Sequence, residues 1–138
     1  MNPNEENCIF CKIAKKEIPS EIINEDELFM TFVDIKPINK GHLLVIPKKH
    51  SRNISEMIDP ELSKYLAFVK ESAEQMKTSL GCDGYNIGMN NEPAAGQIIF
   101  HSHFHIIPRY KDDGLTSWPD KEYEEGELKK YAEKIRKK

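Results

Sequence analysis

His101-Ser102-His103-Phe104-His105-Ile106-Ile107 sets histidine against other residues in strict alternation. Side chains at i, i+2 and i+4 of a β-strand share one face. A strand here would line up its three imidazoles about 6.5 Å apart. Each buried ring needs hydrogen-bonding partners, so such a row is costly unless it performs chemistry. Two chemistries suit it. Imidazole is a common metal ligand, and it can also act as a nucleophile that splits one hard displacement into two easier ones. His42 and His50 complete the chain's five histidines.

Just upstream, Asn90-Asn91-Glu92-Pro93-Ala94-Ala95-Gly96-Gln97 reads as a loop. Its glycine lets backbone approach a ligand closely, and consecutive amide N–H groups can cradle an anion. Beside a histidine row, that suggests a phosphate seat. Working outward, strands are expected at 22–23, 28–33, 42–46, 85–89 and 98–107, with Pro47 and Pro108 as stops. A short helix over 8–16 turns Ile9, Phe10 and Ile13 inward and ends before Pro19. A long helix begins at Asp59-Pro60, and Leu62, Tyr65, Leu66, Val69, Ala73, Met76 and Leu80 form its apolar stripe up to Gly81. From Tyr123 a solvated C-terminal helix carries Leu128, Tyr131 and Ile135 as a thin seam.

Composition narrows the function. The chain has 138 residues, 38% hydrophobic and 31% charged, with a net charge of 20 − 23 = −3. That is an ordinary globular profile, and one domain, residues 1–138, is expected. The acidic balance argues against a nucleic-acid partner. Three cysteines cannot all pair as disulfides, which argues against a small secreted scaffold. The polar, acidic N-terminus is unlike a signal peptide, and no apolar run reaches the roughly 20 residues of a membrane span. The cytoplasm is the expected compartment, where Cys8-x-x-Cys11 reads as a metal element, a redox pair or two buried thiols. The basic residues Lys36, Lys40, Lys48, Lys49 and Arg52 suit a solvated face that could also concentrate phosphate. Residues 111–138 hold eight Lys+Arg and eight Asp+Glu and form a charged, neutral extension.

The histidine stretch resembles the signature of the histidine triad (HIT) superfamily, with polar Ser102 at its first apolar position. Cys8-Ile9-Phe10-Cys11-Lys12-Ile13, Glu17-Ile18-Pro19, Phe32-Val33-Asp34-Ile35, Gly41-His42-Leu43-Leu44-Val45-Ile46-Pro47-Lys48 and Ala95-Gly96-Gln97 match further family pieces in order. The match covers roughly residues 8–110 and is closest to bacterial-type members with paired cysteines. It implies an α+β fold with a mainly antiparallel sheet, one long helix, a C-terminal helix and homodimerisation.

The resemblance also implies roles. His103 matches the nucleophile that attacks the α-phosphate of a nucleotide derivative, giving a nucleotidyl-histidine that water hydrolyses. His105 matches a phosphate contact, and His42 a histidine that orients the cluster. Gly96, Gln97 and the Ile98 backbone match the phosphate loop, with Asn90 reaching the phosphate end. Asp34 matches the ribose-binding carboxylate, and Phe10, Ile18, Phe32 and Ile35 an apolar slot for a base, most readily a purine. Relatives with paired cysteines bind zinc, and His50 and His101 could complete a Cys₂His₂ set with Cys8 and Cys11. Four such N/S donors describe a closed structural site. Ile98 departs from the family, since many members carry Ser or Thr there. The implied function is a hydrolase or nucleotidyl transferase acting on a nucleoside 5′-phosphate derivative, a dinucleoside polyphosphate or a phosphoramidate. The alternative is a nucleotide-binding regulatory module with little catalysis.

Overall fold

The computed structural model describes residues 3–136. Residues 1–2 and 137–138, the ends of the expected 1–138 domain, lie outside the described residues. In chain order the elements are α1 (Pro3–Glu6), α2 (Ile9–Ala14), β1 (Ile22–Glu25), β2 (Phe29–Val33), β3 (Leu43–Pro47), α3 (Glu61–Leu80), β4 (Gly84–Gly88), β5 (Phe104–Arg109) and α4 (Glu127–Arg136). The five strands form one sheet in the order β1-β2-β3-β5-β4, and every neighbouring pair is antiparallel. The architecture is α+β, as expected.

Alternation along β2 and β3 distributes the core to both faces of the sheet. Phe29, Leu43, Val45 and Ile106 pack with Tyr65, Val69, Ala73 and Met76 of α3. Met30, Phe32, Leu44 and Ile46 pack on the other side with Cys8, Phe10, Cys11 and Ile13 from α2 and its N-cap. Both faces are covered, so β3 reads as a continuous apolar run and β2 as one broken only by Thr31. Ser72 also lies on the buried face of α3, where its hydroxyl meets Thr31 Oγ1 at 2.7 Å. The apolar stripe missed it because serine is polar, while the expected Leu66 and Leu80 are exposed. Ile9 is likewise exposed, and Phe10, Cys11 and Ile13 are the inward residues of α2.

The expected helix signals operate with small shifts. Asp59 Oδ1 accepts from the Ser63 amide at 2.9 Å, while Pro60 sits one position before the helix. Gly81 closes α3 in the left-handed region at φ 65°, its N–H donating to the Lys77 carbonyl. Gly41 has φ +97°, and a Cβ there would stand 2.6 Å from Leu80 Cδ1. Gly41→Ala is therefore expected to cost about 2 kcal/mol, read as a lower urea midpoint with an unchanged slope.

The expected histidine strand is shorter than 98–107. β5 begins at Phe104, and its ladder to β3 ends at the Val45–Phe104 pair. Further pairing would run toward Pro47, which has no N–H to offer. His101 Nε2 instead donates to the Pro47 carbonyl at 2.7 Å. At the other end Pro108 lies inside β5 rather than stopping it. There β3 pairing has ended at Ile106, and β5 has β4 alone as its partner. A missing N–H is tolerated beside a vacant edge.

Candidate active site and metal centre

The three signature histidines divide between two places. His103, His105 and His42 form a row, with adjacent ring centroids 5.1 Å apart. His101 turns away to meet His50, Cys8 and Cys11. The residues expected at two sites do gather at two sites, joined by the segment 101–105 rather than by one regular strand.

Hydrogen-bond partners assign the tautomers in the row. His103 Nδ1 lies 2.7 Å from the His101 carbonyl, which can only accept, so Nδ1 carries the proton and Nε2 keeps a lone pair. His42 Nδ1 accepts from the Ile38 amide at 3.1 Å, which puts the His42 proton on Nε2. That N–H donates to His105 Nδ1 at 2.9 Å. The neutral His105 ring therefore carries its own proton on Nε2. Burial is the main force holding all these rings neutral: it lowers His42 and His103, while Asp34 opposes it at both. His105 is lowered to about 4 by burial and then by His103 and His42.

Asp34 borders the row, its Oδ2 being 3.8 Å from His42 Nε2. Its other oxygen accepts from the Lys36 amide at 2.9 Å. Asp34, His42 and His105 lie close enough to suggest a cation site. The Ile38 amide occupies the His42 Nδ1 lone pair, so Nε2 presents a proton where a metal would need electrons. Phe10 and Phe32 are buried, with the Phe10 ring edge-on to His103 at 5.1 Å. Ile18 is half-buried, and Ile35 is 92% exposed.

The loop residues are also accounted for. Gly96 has φ +92°, a left-handed conformation suited to glycine. Its N–H donates to the Pro93 carbonyl, and the Gln97 N–H to the Glu92 carbonyl, so both amides serve the loop itself. The Ile98 N–H makes no backbone hydrogen bond among the described residues, and its side chain is 86% exposed. Gln97 is buried, its amide taken up by protein partners. Asn90 is half-buried and reaches the Gly96 carbonyl at 3.5 Å. Of the basic residues, Lys48 pairs with Glu25 and Arg52 with Glu92.

The second site gathers Cys8 Sγ, Cys11 Sγ and one ring nitrogen each from His50 and His101, all within 4.8 Å of one another. The Cys8–His101, Cys11–His50 and Cys11–His101 separations are 3.2, 3.3 and 3.5 Å. Zinc bound tetrahedrally at about 2.3 Å to sulfur and 2.0 Å to nitrogen has S···N edges of about 3.5 Å. His101 Nε2 donates to the Pro47 carbonyl, so its Nδ1 lone pair faces the thiols. A ligand histidine is commonly oriented in this way. Burial and Cys8 push the Cys11 thiol up to about 12. The donor set and spacing fit a closed four-coordinate metal and leave no open coordination position.

Sequence reading missed the partners that set these rings. The Ile38 amide and the Pro47 and His101 carbonyls are backbone groups, and residue identity carries no trace of them. Ser51 and Ser102 form a buried hydroxyl pair at 2.8 Å, while the Ser102 amide donates to the Ser51 carbonyl at 2.7 Å. The polar residue at the first apolar position of the signature thus has a partner of its own.

An antiparallel sheet bearing a row of neutral histidines beside a glycine loop defines the histidine triad class. The chain belongs to the HIT family, whose domain profile matches residues 15–112. A HIT-like protein of Methanocaldococcus jannaschii is 54% identical over 107 residues, covering 78% of this chain and 82% of that protein. The adenosine 5′-monophosphoramidase hnt1 of Schizosaccharomyces pombe is 39% identical over 131 residues, covering 94% and 96%. Among solved structures, a HIT family member from Bacillus subtilis superposes with TM-score 0.85 at 41% identity, covering 95% of this chain and 96% of that one. A zinc-bound histidine triad family protein from Mycobacterium smegmatis gives TM-score 0.73 at 36% identity, covering 86% of each.

Proposed function

We propose that the protein hydrolyses nucleoside 5′-phosphate derivatives, of phosphoramidate or phosphoanhydride type, through a nucleotidyl-histidine on His103. The observation that carries this reading is the 2.7 Å contact between His103 Nδ1 and the His101 carbonyl. It fixes the tautomer whose Nε2 is nucleophilic. His103 Nε2 attacks phosphorus, and the bond from phosphorus to the leaving nitrogen or oxygen breaks. The leaving group takes a proton from solvent as it departs, and the water that attacks in the second step gives one back. Water then attacks the same phosphorus, the N–P bond breaks, and a nucleoside monophosphate is released.

His42 and His105 act as an ordered pair. The Ile38 amide fixes His42, His42 fixes His105, and the His105 Nε2–H is the donor offered to a phosphate oxygen. The Ile98 amide is a backbone donor the loop itself does not use, and Gly96, Gln97 and Asn90 hold the loop around the phosphate. Asp34 accepts from ribose hydroxyls. Ile18 and Ile35 give the purine base an apolar surface, backed by buried Phe10 and Phe32. The name of the fission-yeast relative supports an AMP half in the substrate. Cys8, Cys11, His50 and His101 hold a structural zinc, which braces the chain carrying His103 and takes no part in the chemistry. The whole chain acts as one domain, with core 8–110 and extension 111–138, in a cytoplasmic homodimer. Among the described residues no helix is long and apolar enough to cross a membrane.

The direct test is turnover of adenosine 5′-phosphoramidate and diadenosine polyphosphates, with AMP release measured. Failure to cleave any of them would leave the binding-module reading. The His105 ring stays neutral until about pH 4 because burial, His103 and His42 disfavour its charged form, against the weaker pull of Asp34. The His105 ring resonances should therefore show no protonation in an NMR titration from pH 8 to about 5. A titration midpoint near the ordinary histidine value of about 6.5 would contradict it. Stability follows the same sign. The unfolded ring takes up its proton first, so the contribution of this ring is lost as pH falls from about 6.5 toward 4.

A further inference from the structure

Residues 50–54 run between the metal centre, the nucleophile and the loop. His50 faces His101, and Ser51 is bonded to Ser102, the residue between His101 and His103. The next three residues grip the loop. Arg52 donates to both Glu92 carboxylate oxygens, from Nε at 2.9 Å and Nη2 at 2.8 Å. Asn53 Nδ2 donates to Glu92 Oε2 at 2.6 Å and to Gln97 Oε1 at 3.2 Å. The Glu92 amide donates to the same Gln97 oxygen at 2.9 Å. Gln97 Nε2 returns to the Arg52 carbonyl at 2.6 Å and to the Ile99 carbonyl at 3.1 Å. The Ile54 amide completes the set on Asn91 Oδ1 at 3.0 Å.

Two features separate this network from ordinary surface pairing. Asn53 is 2% exposed, and its amide hydrogens go to the loop. Glu92 adopts φ +77° and ψ 156°, which a residue with a side chain keeps only where its surroundings over-determine it. The Arg52 guanidinium also lies 4.4 Å from the Phe100 ring centroid, inside the segment leading to the histidines. The Arg52 and Glu92 side chains are 44% and 54% exposed, so their pairing adds little to global stability. Its effect falls on the loop.

Resting on the hydrolase reading above, we propose that Arg52, Asn53 and Glu92 form a latch that holds the Asn90–Gln97 loop in register with His103. They are positioning residues for phosphoryl transfer and do not touch the reacting atoms. Small displacements in such a site cost rate more than binding.

The test compares Arg52→Ala and Glu92→Gln with the wild type, since Asn53→Ala removes a buried group and could unfold the chain. Active sites are counted from the burst of nucleotidyl-enzyme formed with adenosine 5′-phosphoramidate. Turnover per active site should fall about tenfold in each variant, with AMP affinity changed less than about threefold. The double variant should match the singles, because one coupled unit is broken once. Melting temperatures should stay within about 2 °C, as for an exposed pair. Amide exchange at Gly96 and Gln97 should accelerate about tenfold. Wild-type turnover per site, or unchanged exchange at these amides, would overturn the latch. Should the wild type form no adduct and bind no AMP, the hydrolase reading fails, and the exchange measurement alone supports or overturns the latch.

Discussion

His103→Ala is expected to lower kcat/KM on adenosine 5′-phosphoramidate by about 10⁴-fold or more, equivalent to about 5.5 kcal/mol of transition-state stabilisation. No other ring can substitute. His101 Nδ1 faces the thiols, and the His42 and His105 rings are committed to each other. The fold should survive, because the lost ring is replaced by a small apolar group beside Phe10. Metal content should also survive, since His103 is no part of the Cys8–Cys11–His50–His101 cluster. This separates the nucleophile account from a catalytic metal, under which His103→Ala would lose the metal together with activity. Elemental analysis beside the rate assay reads both at once.

Cys11→Ala is expected to act in the opposite order, taking stability first. Cys11 Sγ lies 3.3 Å from His50 Nδ1 and 3.5 Å from His101 Nδ1, so its loss opens the donor set between both rings. A structural zinc contributes its binding free energy to folding. Losing it should cost at least about 3 kcal/mol, a melting-temperature drop of about 10 °C. A chelator should reproduce that drop in the wild type and add little in Cys11→Ala. Cys82→Ala is the control, for Cys82 packs in the other core cluster, against α3. It should keep the zinc. A Cys11→Ala protein that melts like the wild type would remove the metal from the account.

The sequence made the sheet legible because β2 and β3 are largely apolar segments between turn signals, and made α3 legible because its stripe recurs at helical spacing. It made the histidines legible as a group because alternation is a strong signal. The length of the strand beneath them was not legible. The Val45–Phe104 pair is the last rung because Pro47 lies beyond it, a constraint that involves two distant segments. Legibility within the site follows the same division. His103, His105 and His42 stand out by type and spacing, whereas the Ile38 amide and the His101 and Pro47 carbonyls that orient the rings are backbone groups. Gln97 was expected at the phosphate, yet its side chain is occupied by Asn53, Glu92 and two carbonyls. Ile35 fell among residues that read as a slot, and its 92% exposure shows a surface open to solvent.

In the reading above, the adenylyl group is carried by His103 Nε2 between substrate and water. This is tested most directly by mixing the wild-type protein with adenosine 5′-phosphoramidate, quenching in base within milliseconds and reading the intact mass and its peptides. A transient species heavier by one adenylyl group is expected, located on the peptide carrying His103 and absent from His103→Ala. Release of AMP at full rate with no such species at any time point, or with the same rate in His103→Ala, would contradict it.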